Sequence, residues 1–75
     1  MVYPNPFTTK TTVALNTDGT YYLEVDDLTG RKLRWIEFTG TQYQLRVENL
    51  AKGIYFIRAF GSDMNVIGTS KIVVQ

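Results

Sequence analysis

Seventy-five residues are enough for one small domain, in which folding buries only about 60% of the surface an unfolded chain exposes, so stability is modest. With 44% hydrophobic residues the chain is too apolar to be disordered, and a net charge of +1, from 8 basic and 7 acidic side chains, provides no field to hold nucleic acid or an anionic membrane. Cysteine and histidine are both absent, which excludes disulfides, cysteine-based zinc sites, thiol nucleophiles and histidine acid–base chemistry.

The chain opens with Tyr3-Pro4-Asn5-Pro6-Phe7. Each proline fixes φ and lacks an N–H, and each pushes the residue before it toward an extended conformation. The segment therefore reads as a rigid lid that docks Tyr3 or Phe7 over one end of the core. A proline-rich ligand for an aromatic groove is the weaker alternative. Met1 is expected to be a start residue in front of a domain excised from a larger exported protein.

β-branched and aromatic residues then alternate with turn residues at short intervals, the pattern of strands. Residues 11–15 form the first candidate, with Thr11, Val13 and Leu15 on one face. Asn16-Thr17-Asp18-Gly19 supplies a hairpin turn, since Gly adopts the positive φ that tight turns require. Residues 20–26 place Tyr21, Leu23 and Val25 toward a core and Tyr22, Glu24 and Asp26 toward water. Asp27-Leu28-Thr29-Gly30-Arg31 turns the chain again. Asp27 is expected to accept hydrogen bonds from its own turn and to pair with Arg31.

Along residues 32–38, Leu33 and Trp35 share one parity and Ile36 and Phe38 the other. A β-bulge near Trp35 and Ile36 reconciles them, because one extra residue flips the facing of the rest. Thr39-Gly40-Thr41 is the next expected turn. Tyr43, Leu45 and Val47 then alternate with Gln44, Arg46 and Glu48. Residues 49–53 form a loop whose Leu50 plugs the open end of the core. Residues 54–60 are apolar on both faces apart from Arg58, which predicts a central strand. Residues 61–65 form a hairpin loop, and residues 66–74 the last strand, interrupted at Gly68. No stretch carries a capped 3.6-residue period, so no long helix is expected. The spacing predicts an all-β fold, an immunoglobulin-like antiparallel β-sandwich of about seven strands in a single domain, residues 1–75. A small barrel is the second architecture.

Few residues suggest chemistry. Glu24, Asp26 and Asp27 could hold Ca²⁺ loosely, but without EF-hand spacing a solvated face is the commoner outcome. Glu37 and Glu48 lie on neighbouring candidate strands, yet a glycosidase needs a cleft that sets the separation of its carboxylates. Ser62 and Ser70 have no histidine partner. Arg31, Lys32 and Arg34 read as a solvated strand face. No catalytic residue, metal or cofactor is therefore assigned. Tyr22, Trp35, Phe56 and Phe60 form a possible exposed aromatic row, suited to sugars or to a protein partner.

Four patterns stand out by their order: Tyr3-Pro4-Asn5-Pro6-Phe7; Asp27-Leu28-Thr29-Gly30-Arg31; Leu50-Ala51-Lys52-Gly53-Ile54-Tyr55; and Gly68-Thr69-Ser70-Lys71-Ile72-Val73-Val74-Gln75. Together they resemble the type A C-terminal sorting domain of the type IX secretion system of Bacteroidetes, over essentially the whole chain. The resemblance implies a non-enzymatic β-sandwich at the end of an exported protein. It implies an N-terminal cargo domain, transit through the periplasm, and passage through an outer-membrane translocon to the cell surface or medium. It also implies an outer-membrane shuttle protein that receives the domain and a sortase-like surface peptidase that removes it. Recognition in the family concentrates in the last strands, which points here to Gly53, Tyr55, Gly68, Lys71, Ile72, Val73, Val74 and Gln75. The chain departs from the family in ending on Gln75, where many members end on a basic residue, and in being compact between Trp35 and Leu50. The tail is apolar and β-prone, so it can remain paired in the sheet or be presented to a receptor groove.

Overall fold

The computed structural model describes residues 2–48 and 50–75. Met1, expected as a start residue, and Asn49, the first residue of the expected loop, lie outside the described residues. Five strands occur in chain order: β1 (Val2–Tyr3), β2 (Lys10–Asp26), β3 (Lys32–Arg46), β4 (Gly53–Phe60) and β5 (Val66–Val74). All pair antiparallel in one sheet. The strand β3 lines one side of β2. On the other side, β1 meets the first half of β2 and β4 the second half, and β5 pairs with β4.

The expected seven-stranded immunoglobulin-like sandwich is thus replaced by five strands in one curled sheet. Two expected turns are not reversals. Residues 16–19 lie inside β2, and residues 39–41 lie inside β3. Between the pairs Ala14–Gln42 and Gly19–Gly40, four residues of β2 stand opposite Thr41 alone. This wide bulge bends both strands at the same level, as extra residues on one strand increase local bend and twist. Gly40 has φ of 129°, a region that side chains disfavour. The turn chemistry is real, but its effect is to fold a long hairpin over itself.

The bend is filled from inside. Tyr21 donates its hydroxyl to the Thr17 carbonyl at 2.6 Å, and rings run from Tyr21 to Phe38 to Tyr43 with centroids 5.6 and 5.4 Å apart. Val13 and Leu45, from one half of the hairpin, join Leu23, Val25, Ile57 and Ile72, from the other, in a single core cluster. Two halves of one sheet therefore act as the two layers that a small core needs.

The remaining turns follow the expected chemistry. Asp27 Oδ1 accepts the backbone N–H groups of Thr29 and Arg31, each at 2.9 Å, and the Thr29 hydroxyl at 2.6 Å. Arg31 pairs with its other oxygen at 3.3 Å. The Thr29 hydroxyl and then the Arg31 N–H hold the Asp27 carboxyl below its ordinary range. Leu50 packs against the core, and β4 lies centrally between β2 and β5. The expected bulge near Trp35 and Ile36 falls instead at Leu33, where the register shifts between Val25–Arg34 and Asp26–Lys32. Leu33, Ile36 and Phe38 thereby all pack toward the core, while Trp35 turns outward.

The bend makes a specific demand on Gly40. A Cβ there would meet nothing within 4 Å, so any cost of Gly40→Ala is backbone strain rather than collision. That change should destabilise the fold by about 1–3 kcal/mol. Gly68→Ala, at a site with ordinary φ and open space, should cost less than about 0.5 kcal/mol. Urea midpoints of the two variants check this; equal midpoints would show that the bend does not depend on Gly40.

Candidate functional site

The four patterns, spread over some 70 positions, come together at one end of the sheet. The Asp27 turn joins β2 to β3 there. Gly53 pairs with Val74, Ile54 with Val73, Tyr55 with Ile72 and Phe56 with Lys71, so the start of β4 lies against the end of β5. Phe7 forms a parallel bridge with Val74. A shallow depression of about 260 Å³ is lined by Asp27, Leu28 and Thr29 on one side and by Lys52, Gly53, Ile54 and Tyr55 on the other.

Each pattern has a local physical reason. Gly53 has φ of 149°, which admits the chain into β4. Two residues on, Tyr55 is buried and donates its hydroxyl to the Ala51 carbonyl at 2.5 Å, clamping the loop under Leu50. Ile72 and Val74 are 0% and 4% exposed and belong to the core. Lys71 and Gln75 face solvent, with Val73 half-buried between them. Of the residues assigned to recognition, the fold gathers Gly53, Tyr55 and Lys71 to Gln75. Gly68 is left apart: it pairs with Ala59 near the far end of β4.

The lid is built differently from the simple plug read in the sequence. Phe7 is 4% exposed and docks, whereas Tyr3 is 42% exposed and does not. Phe7 donates its N–H to the Val73 carbonyl at 3.0 Å and accepts from the Gln75 N–H at 2.9 Å. Asn5 supplies the second rung with its side chain: Nδ2 donates to the Lys71 carbonyl at 2.7 Å, and Oδ1 accepts the Val73 N–H at 2.9 Å. The buried Thr11 hydroxyl anchors the segment by donating to the Pro4 carbonyl at 2.7 Å. The role of Asn5 was missed in the sequence. Its signal is an amide, able to donate and accept like a peptide group, placed between two prolines that cannot donate.

The outer face of the same sheet carries the aromatic row. Trp35, 43% exposed, lies nearly parallel to Tyr22 with centroids 5.6 Å apart and tilts against Phe60 at 5.4 Å. Lys32 Nζ sits 5.2 Å from its ring centroid. Phe56 is half-buried in the neighbouring row. Glu24 and Asp26, expected in water, are instead 9% and 6% exposed. The long side chains opposite them on both flanking strands, Trp35 and Lys32 on β3 and Arg58 and Phe56 on β4, account for the correction. Lys32 pairs with Glu24 at 3.5 Å, and Arg58 approaches Asp26 at 3.9 Å, while Asp26 Oδ1 has no hydrogen-bond partner. Among the described residues no cluster of three or more potential ligands could hold a metal. Glu37 pairs opposite Tyr22 while Glu48 follows the end of β3 beyond Arg46, so they sit on opposite halves of the bent hairpin.

Burial, followed by the hydrogen bond and charge of Glu24, raises the Asp26 carboxyl above its ordinary range. Between the unfolded value, about 4, and the raised folded value, the folded chain binds more protons than the unfolded chain. Asp26 therefore makes stability fall as pH rises through that window, the reverse of Asp27. Asp26→Asn should flatten this part of the stability–pH curve, measured by urea unfolding across the acid range; an unchanged slope would place the titration elsewhere.

No curated protein matches the chain. The family model described as "Secretion system C-terminal sorting domain" matches residues 1–75, the full span over which the four patterns converge on one end of the sheet. The chain therefore belongs to the family of type IX secretion C-terminal sorting domains.

Proposed function

We propose that this domain acts as a non-catalytic address, read by the secretion machinery at the end of the sheet where the four patterns meet. The observation that carries the reading is that convergence. Residues far apart in sequence form one continuous surface from the Asp27 turn through Gly53 and Tyr55 to Lys71, Val73 and Gln75, closed by Asn5 and Phe7. A domain with no histidine or cysteine has little means for chemistry, and this surface offers edges and turns instead. On this reading an outer-membrane shuttle and translocon receive the domain after periplasmic transit. A sortase-like peptidase separates it from an N-terminal cargo, and the cargo reaches the surface or medium. Gly68, remote from the rest, acts through the course of β5 and not as part of the same surface.

A second reading is favoured by the exposed Trp35 flanked by Tyr22 and Phe60: an accessory carbohydrate-binding or adhesive module. Flat rings on an open sheet face offer stacking area to sugars. Calorimetric titration against polysaccharides discriminates. Heat that vanishes in Trp35→Ala supports this second reading, and no heat with any glycan removes it.

The sorting reading predicts that residues 1–75, fused behind a reporter bearing a signal peptide, carry the reporter to the surface of a bacterium with a type IX system. Deleting residues 71–75 should reduce export at least tenfold. Export of the truncated fusion at normal levels, with the protein still folded, would show that the tail is not the address.

A further inference from the structure

The lid follows a ladder register that stops one rung short of an open groove. In a parallel ladder a residue bonds to the residues before and after its partner, and successive rungs are two residues apart. Phe7 bonds to Val73 and Gln75, the rung opposite Val74. The Asn5 side chain bonds to Lys71 and Val73, the rung opposite Ile72. The next rung, opposite Ser70, would use the Thr69 carbonyl and the Lys71 N–H. By the two-residue period of the strand these groups point the same way as the Lys71 carbonyl and the Val73 N–H. No segment of the chain fills that rung, because Tyr3 has left to pair with Thr12 in β1. The strand β5 pairs only with β4 among the described residues.

The unfilled edge opens onto a groove of about 330 Å³ between the two halves of the sheet. Val13, Leu15, Ile57, Ala59 and Ile67 give it an apolar lining, and no charged side chain lines it. We infer that the outer edge of β5 is a strand-addition site. Its occupant would be an extended peptide running parallel to β5, with one apolar side chain in the place of Phe7 and another in the groove. The Tyr3–Phe7 lid is the built-in competitor for this site.

The chemistry of the lid fits a competitor. Its prolines remove two of its donors, so it holds two rungs, one of them through a side chain. A strand without prolines fills the same two rungs through its backbone and adds the third. Tethering gives the lid a high effective concentration, which keeps the edge covered until such a strand arrives. The inference rests on the sorting reading only for which protein supplies the strand.

The test uses the whole chain and a synthetic peptide, Val-Tyr-Val-Asn-Val-Phe-Thr-Thr, which repeats residues 2–9 with both prolines replaced by valine. Amide shifts on adding the peptide should concentrate at Thr69, Lys71, Val73 and Gln75. Asn5→Ala, which loses both side-chain bonds of the lid, should bind it at least about tenfold more tightly than the unaltered chain. Asn5→Asp keeps the acceptor and loses the donor, so it should fall between them. Thr69→Pro blocks the edge next to the empty rung and should abolish binding while the lid stays protected from amide exchange; Pro is tolerated where the N–H faces outward. Unchanged β2–β4 shifts confirm that each variant is folded. Shifts that map away from β5, or equal affinities across the series, would overturn the inference. A chain that exports its reporter yet fails this binding series keeps the sorting reading and loses the strand site; one that binds at β5 but does not export does the opposite.

Discussion

Everything in this domain depends on the bend in the β2–β3 hairpin. A flat five-stranded sheet of this length would have one covered face at most, and nothing in 75 residues to cover it. The bulge opposite Thr41, the positive φ of Gly40 and the rings of Tyr21, Phe38 and Tyr43 turn the sheet upon itself. Only then do Val13 and Leu45 face Ile57 and Ile72. Burial of such side chains contributes about 1.5–3 kcal/mol each. Their enclosure is therefore the main term that a chain of this size can set against its conformational entropy.

Curling a sheet without closing it leaves two edges. An exposed edge presents unpaired N–H and C=O groups to any other strand, a liability that proteins cover or interrupt. Here the cover is the Tyr3–Phe7 segment, and its composition is what lets it serve. Prolines restrict it to an extended course, the Asn5 amide replaces the peptide groups that proline cannot offer, and Phe7 fixes it to the core. The opening pattern and the closing pattern of the chain are thus the two partners of one interface.

Much of this was legible from residues alone, and the failures have a common cause. The Asp27 turn, the Leu50 plug, the central β4 and the docking of Phe7 follow from local chemistry, and the structure keeps them. Asp18-Gly19 and Gly40 carried equally good turn chemistry, yet whether such residues reverse a chain or bend it is decided by what pairs across from them. That register is a long-range property with no local signature. The wet face assigned to Glu24 and Asp26 failed for a similar reason. Alternation shows which side chains share a face, not that long neighbours such as Trp35, Lys32 and Arg58 will close over them. Of the recognition residues, Gly53, Tyr55 and the tail were brought together, and Gly68 was not.

The burial of Ile72 and Val74 bears on how an address of this kind is read. Side chains at 0% and 4% exposure cannot be inspected by a receptor while β5 remains in the sheet. What the folded end displays is the side chains of Lys71, Val73 and Gln75 and the backbone edge between them. A receptor that reads mainly the edge depends on the course of the strand more than on the identity of its last residue. On the proposed reading, that is why Gln75 can stand where other members carry a basic residue: its N–H, not its side chain, makes the contact with Phe7 that defines the final rung. Core packing and address then make the same demand on the tail, a straight apolar strand held at the edge of the sheet.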